Sequence, residues 1–186
     1  MYTRSRSGHA AIIYCAKIYV AGGSLAGSSF PDIGSSHVEY YDATTCSWVE
    51  DVAMNIKRVN FDLLIIKNKL YAVGGDSNSQ VDTIESFDGE AWKIITQFPC
   101  KRSYSSVFNI GSMIFIVGGK VTRDTSSNCD IFCTSSNQWF DSTIMNSTNL
   151  KTKEGHDVIN ISFPKSFPNM VYRKVVAYKY TGFHWA

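Results

Sequence analysis

Three times along this chain a short apolar strand stops at a pair of glycines. The copies are Lys17-Ile18-Tyr19-Val20-Ala21-Gly22-Gly23, Lys69-Leu70-Tyr71-Ala72-Val73-Gly74-Gly75 and Met113-Ile114-Phe115-Ile116-Val117-Gly118-Gly119. β-branched and aromatic residues suit a covered, pleated surface. Glycines that follow them permit φ > 0 and let another chain lie directly on the backbone. The surroundings repeat as well. An arginine (Arg6, Arg58, Arg102) stands sixteen positions before the first glycine of each pair. After each pair come a polar loop, a short strand with an aromatic, and a tryptophan: Tyr41 and Trp48, Phe87 and Trp92, Phe132 and Trp139. The glycine pairs are spaced by 52 and then 44 residues. That period fits four short strands per unit and is too short for a separate domain.

Arginine, apolar strand, Gly-Gly, aromatic and tryptophan in that order resemble the kelch repeat, whose units build β-propellers. The resemblance covers roughly residues 4–143, as repeats of about 4–51, 52–95 and 96–143. In the second repeat four residues separate Phe87 from Trp92, where the other two have six, so a tighter turn is expected. The implied fold is all-β: an incomplete kelch-type β-propeller of three to four four-stranded blades, arranged as an open arc.

Residues 144–186 are expected to form a degenerate or partial fourth blade. Lys153-Glu154-Gly155-His156 matches Arg6-Ser7-Gly8-His9, and Val175, Tyr178 and Trp185 have the spacing of Val38, Tyr41 and Trp48. Where a glycine pair belongs, however, stands Phe163-Pro164-Lys165-Ser166-Phe167-Pro168. Two prolines remove ladder donors, so a regular second strand is not expected there. The chain starts at a first strand and stops at Trp185, before a last strand could finish that blade. Such an arc would expose an apolar face and unpaired edges on its first and last blades. A second copy, or the missing blades of a longer chain, would complete it.

Composition narrows the function classes. The formal net charge of +2 is spread without a basic stripe or acidic tail, so neither nucleic acid nor a charged membrane is an expected partner. No apolar run approaches membrane-spanning length, and Met1 to Ser7 are not followed by the apolar segment of a signal peptide. Five cysteines, Cys15, Cys46, Cys100, Cys129 and Cys133, are irregularly spaced. An odd, scattered set fits reduced thiols and a cytoplasmic protein better than a disulfide framework. The sequons at Asn146 and Asn160 weigh weakly the other way. Cys129 and Cys133 fall on one face of a strand and are read as packing, because no second pair of ligands supplies a zinc site. No metal and no cofactor are expected.

Nothing in the sequence marks a catalytic centre. Ser86-x-Asp88-Gly89-x-x-Trp92 comes within one residue of the Asp-box of sialidase-like propellers, but that box is itself a structural turn. Nucleophile-elbow, phosphate-loop and His-Glu metal motifs do not occur. The expected function is therefore a non-catalytic protein-interaction module. By resemblance it would be the substrate-recognition part of a cullin-type ubiquitin-ligase adaptor, whose BTB domain precedes the propeller. The alternatives are an actin-binding kelch protein and, behind it, a propeller enzyme.

In kelch propellers the start of the innermost strand lies near one rim of the central channel. Arg6, Arg58 and Arg102 therefore have two readings: contacts to a partner, or bonds to loop carbonyls of the blades, which their strict repetition favours. Non-repeated residues of the same rim are the better recognition candidates, since binding concentrates on loops held by a rigid scaffold. The partner-binding set is Phe30, Asp32, Asp76, Asn78, Gln80, Lys120, Arg123 and Asp124 in loops after Gly-Gly, with Asn60 and Tyr104 beside the arginines Arg58 and Arg102.

Overall fold

The computed structural model describes residues 5–25, 34–77, 81–99, 104–121, 124–125, 129–140, 151–153, 156–162 and 174–180. All described elements are strands or turns. The first unit opens with β1 (Arg6–Ser7), then β2 (Ala10–Tyr14), β3 (Lys17–Ala21), β4 (Ser24–Leu25), β5 (Val38–Asp42) and β6 (Ser47–Asp51). Strands β2, β3, β5 and β6 form an antiparallel sheet in that order, blade 1. Blade 2 is built in the same way from β7 (Asp62–Ile66), β8 (Lys69–Val73), β9 (Thr83–Phe87) and β10 (Trp92–Gln97). Blade 3 has β11 (Ser106–Ile110) and β12 (Met113–Val117), then, past a small hairpin, β15 (Cys129–Cys133) and β16 (Gln138–Phe140). That hairpin pairs β13 (Lys120–Val121) with β14 (Asp124–Thr125).

Each repeated tryptophan sits directly across the ladder from its repeated aromatic. Tyr41 pairs with Trp48, Phe87 with Trp92 and Phe132 with Trp139. Their ring centroids are 5.5, 5.2 and 5.1 Å apart, within the range where aromatic pairs add to burial. The shorter connection in blade 2 is indeed tighter. Asp88 Oδ1 accepts from the backbone N–H groups of Glu90 and Ala91, Gly89 takes φ 104°, and Lys93 Nζ lies 2.9 Å from Asp88 Oδ2.

The blades stack face to face. Tyr14, Tyr19, Ala21 and Val38 of blade 1 pack on Phe61, Leu63, Leu70, Ala72, Phe87 and Trp92 of the second repeat. The other face of blade 2 (Leu64, Ile66, Tyr71, Val73, Ile84) packs on Ile114, Ile116 and Phe132 of blade 3. Blade 2 is thus covered on both sides, as the unbroken apolar run Leu63-Leu64-Ile65-Ile66 requires. Blade 1 instead alternates between buried and exposed positions. The thiol of Cys129 joins a third cluster with Phe115, Val117 and Ile131 on the far face of blade 3.

Two further details concern the loop after the first glycine pair and the tail. The loop after the first glycine pair is not wholly irregular: Ser24 and Leu25 form a two-residue ladder with Ser7 and Arg6. In the tail, β17 (Lys151–Lys153), β18 (His156–Ser162) and β19 (Lys174–Tyr180) form a three-stranded antiparallel sheet. There β18 pairs directly with β19, the strand carrying Val175 and Tyr178. The proline segment lies outside the described residues.

Candidate functional site

In the two repeats whose arginine is described, Arg6 and Arg58, the side chain is locked beneath the rim by its own repeat. In blade 1, Arg6 Nη1 donates to Gly22 O at 3.2 Å and Nη2 meets Glu39 Oε1 at 2.7 Å. In blade 2, Arg58 Nη1 donates to Gly74 O at 2.6 Å and to Thr83 O at 3.0 Å. Its Nη2 reaches Thr83 Oγ1 at 2.8 Å and Glu85 Oε1 at 2.9 Å, and its Nε reaches Glu85 Oε1 at 3.3 Å. A guanidinium has five N–H donors, and these five bonds occupy all of them. The spacing of sixteen therefore has a cause: it sets the guanidinium against the carbonyl of the first glycine.

Glu85 is bound as fully. It also accepts from Asn55 N and Nδ2, both at 2.8 Å, and from Ile56 N at 3.2 Å, so it ties the segment between the two blades to the third strand. Both side chains of the Arg58–Glu85 pair have 0% exposure. Burial pulls the Arg58 pKa below its ordinary value, and the Glu85 carboxylate opposes that. A pair removed from water this completely holds only because its remaining lone pairs and protons are bonded.

Of the residues proposed from sequence, Arg58 is thus placed inside the fold and is closed to a partner. Sequence reasoning missed its acidic counterpart. Glu39, Glu85 and Asp130 occupy one repeat position, opposite Val20, Ala72 and Ile116 in the ladders. The signal was present: in all three repeats an acid stands two residues before the aromatic of the third strand.

Two residues beyond the arginine, the chain turns left-handed at the rim. Gly8, Asn60 and Tyr104 hold this position in the three repeats, with φ of 64°, 52° and 56°. Positive φ is unstrained at glycine, tolerated by asparagine and costly for a bulky aromatic. Asn60 N–H donates to Gly8 O at 2.8 Å, joining the first two repeats. The same rim is closed at Val59 and Asp76, which exchange backbone bonds of 2.9 and 2.8 Å. Gly23 N–H donates to Arg58 O at 2.8 Å. A Cβ on Gly22, where φ is 65°, would lie 2.5 Å from that same carbonyl, so the glycine is required for the approach.

The fold therefore brings Asn60 and Asp76 together, both half-buried, at the junction of blades 1 and 2. Tyr104 is 58% exposed at the matching position of the third repeat. Lys120 and Asp124 lie on the β13–β14 hairpin. Phe30, Asp32, Asn78, Gln80, Arg102 and Arg123 lie outside the described residues. Among the described residues, no group of three or more His, Cys, Asp or Glu could hold a metal ion.

Away from the rim, the turn after β15 perturbs a thiol. Burial works to raise the pKa of Cys133, but hydrogen bonds from the side chains and backbone of Ser135 and Ser136 outweigh it, and the thiol falls to about 6.

Comparison with known proteins agrees with this architecture. The Kelch motif family model matches residues 57–99. Kelch-like protein 25 of Xenopus tropicalis is 29% identical over 143 residues, covering 73% of this chain and 24% of the relative. The Kelch repeat and BTB domain-containing protein 1 of Cowpox virus (strain Brighton Red) is 35% identical over 95 residues, covering 50% of this chain and 17% of the relative. Alpha-scruin of Limulus polyphemus is 28% identical over 131 residues, covering 64% of this chain and 14% of the relative. The chain thus spans about a quarter or less of the length of these curated relatives. Among solved structures, that titled "Structure of YjhT" aligns with a TM-score of 0.65 at 14% identity, over 84% of this chain and 58% of the other. With three equivalent four-stranded blades, and with these matches, the chain is similar to kelch-repeat proteins and carries a Kelch motif over residues 57–99.

Proposed function

We propose that the chain is a non-catalytic protein-interaction module that engages a protein partner at the rim where each innermost strand begins. One observation carries this reading. At a single repeat position the backbone is held constant, left-handed in all three units, while the residue changes from Gly8 to Asn60 to Tyr104. The Arg6–Glu39 and Arg58–Glu85 pairs beneath serve the frame, and the varied residues above are free to carry specificity. Tyr104 presents a largely exposed ring there despite its unfavourable backbone conformation. Asp76 adds a carboxylate to the same rim, and Lys120, Arg123 and Asp124 belong to the corresponding loop of the third repeat.

The finer reading proposed is substrate recognition for a cullin-type ubiquitin-ligase adaptor, with a cytoplasmic location; it comes from the kelch resemblance, and the BTB domain named in the Cowpox virus relative is consistent with it. The test is affinity capture from cell extract with the wild-type chain and with a rim triple variant, Asn60→Ala/Asp76→Lys/Tyr104→Ala, each verified as folded by circular dichroism. We expect a discrete set of proteins lost from the triple variant and kept by a control variant, Lys93→Ala. The finer reading expects ubiquitin-ligase components or their substrates in that set. Sedimentation with filamentous actin that is abolished by the same triple variant would favour the cytoskeletal alternative. Identical captures for both chains would move the binding surface off this rim.

A further inference from the structure

The charges of this chain are unevenly divided. Residues 145–186 hold six of the 18 Lys and Arg but two of the 16 Asp and Glu, a formal +4, which leaves −2 on the residues before them. The net charge of +2 conceals this division, and the ladder of the tail sheet sharpens it.

Alternation along β17, β18 and β19 sorts their residues onto two faces. One face carries Ile159, Ile161, Val175 and Ala177, with Asp157 directly across from Lys179. Its charges cancel, and its aliphatic residues have the pattern of a face that packs. The other face carries Lys151, Lys153, His156, Lys174, Tyr178 and Tyr180. Among the described residues of this sheet Asp157 is the one carboxylate, so no acid shares that second face. Lys153, His156 and Tyr180 form one row across the three strands, and Lys151, Val158 and Tyr178 form the next. Residues of one face follow each other by about 6.8 Å along a strand, and strands lie about 4.8 Å apart. A pair of lysines on β17 is thus set roughly 10 Å from a pair of tyrosines on β19.

This composition does not suit a face covered by another blade. Between blades 1 and 2 the covered residues are apolar, as Leu70, Phe87 and Trp92 show. Burying three lysines without a counter-charge is costly.

We propose that this lysine and tyrosine face of the tail sheet binds single-stranded nucleic acid. The lysines neutralise backbone phosphates, and the tyrosines supply flat π-faces on which unpaired bases stack. A cationic surface combined with aromatic platforms is what such strands require, and an open sheet face can offer both to splayed bases. An acidic peptide would use the lysines and leave the tyrosine pair without a role, so the tyrosines decide the occupant. Spread along the chain, the charge gives no expectation of a nucleic-acid partner; gathered by the register, it does. The inference uses none of the rim residues, so it and the rim reading can fail separately.

The test is fluorescence anisotropy of a fluorescein-labelled oligothymidylate titrated with the full chain at several salt concentrations. Binding is expected, with a slope of log affinity against log salt near about −2, since each phosphate neutralised on a single strand contributes about −0.7. Lys151→Gln/Lys153→Gln/Lys174→Gln should weaken binding at least about tenfold and flatten the slope. Lys179→Gln, which removes the same charge from the opposite face, should change it by less than about twofold. Tyr178→Leu/Tyr180→Leu should weaken it about fivefold or more through lost stacking, at an unchanged slope. Circular dichroism verifies each variant, and because lysines and tyrosines are read separately, either set decides if the other fails to fold. Absence of binding, or binding that survives the lysine triple variant, would overturn the proposal. So would equal affinity for a polyglutamate peptide or phosphatidylserine vesicles with the tyrosine variant binding as wild type, because the face would then serve another anion.

Discussion

Replacing Glu85 by alanine should be among the most damaging single changes in this protein. The substitution leaves the Arg58 guanidinium buried without its counter-charge and strips acceptors from Asn55 N, Asn55 Nδ2 and Ile56 N. Breaking a buried ion pair from one side costs about 3–5 kcal/mol, and the lost bonds to exposed Asn55 and half-buried Ile56, whose donors can turn to water, add about 1 kcal/mol or less. These losses share one site and do not add, so about 4 kcal/mol is expected. That is a large part of the roughly 5–15 kcal/mol that stabilises a domain. Glu39→Ala provides an internal comparison, since it removes the same position of blade 1. The Arg6–Glu39 side chains retain 7% and 13% exposure against none for the blade 2 pair, so a smaller cost, about 2 kcal/mol, is expected. Urea unfolding followed by far-ultraviolet circular dichroism measures both. The double variant Arg58→Met/Glu85→Leu should recover at least ~1 kcal/mol relative to Glu85→Ala, because no buried charge remains. A Glu85→Ala cost below about 1 kcal/mol, or one no larger than that of Glu39→Ala, would refute the reasoning.

Two other outcomes follow from packing and titration. Trp92 is 6% exposed and stacked on Phe87, so Trp92→Ala should cost about 3–5 kcal/mol in the same urea assay, and an unchanged midpoint would contradict its role in the core. The Cys133 thiol titrates lower in the fold, at about 6, than its ordinary value of 9.0. Its contribution to stability is therefore present above the unfolded pKa and is lost as pH falls through about 6. A thiolate absorbance step near that pH, missing in Cys133→Ser, checks this.

Much of the scaffold was legible because the repeat wrote the same physical instruction three times. The β-branched runs gave strands, the glycine pairs marked where another blade lies on the backbone, and the spacing from Arg58 to Gly74 encoded a hydrogen bond. The acids were equally regular but went unread, because a charged residue inside a strand looks like a solvent-facing position until the arginine is placed opposite it. Glu85, with its neighbours Ile84 and Phe87 buried, shows how misleading that first impression is. The short ladder of Ser24 and Leu25 with Ser7 and Arg6 was hidden for another reason. Two-residue pairings carry no periodicity and arise only once the blade brings the segments together. The left-handed turn at the rim was legible at Gly8 alone, since neither Asn60 nor Tyr104 announces positive φ as glycine does. Which side chains recognise a partner is the least legible, because recognition uses the positions where the repeats differ.

The central claim is that all three repeats are held by one device, an arginine that bridges the first glycine carbonyl and the acid of the third strand. The third repeat tests it most directly, and a crystal structure resolving Arg102 is the measurement. The repeat predicts the Arg102 guanidinium within hydrogen-bonding distance of both Gly118 O and the buried Asp130 carboxylate, matching Arg58 with Gly74 and Glu85. An Arg102 side chain directed into solvent, with Asp130 bonded elsewhere, would contradict the account.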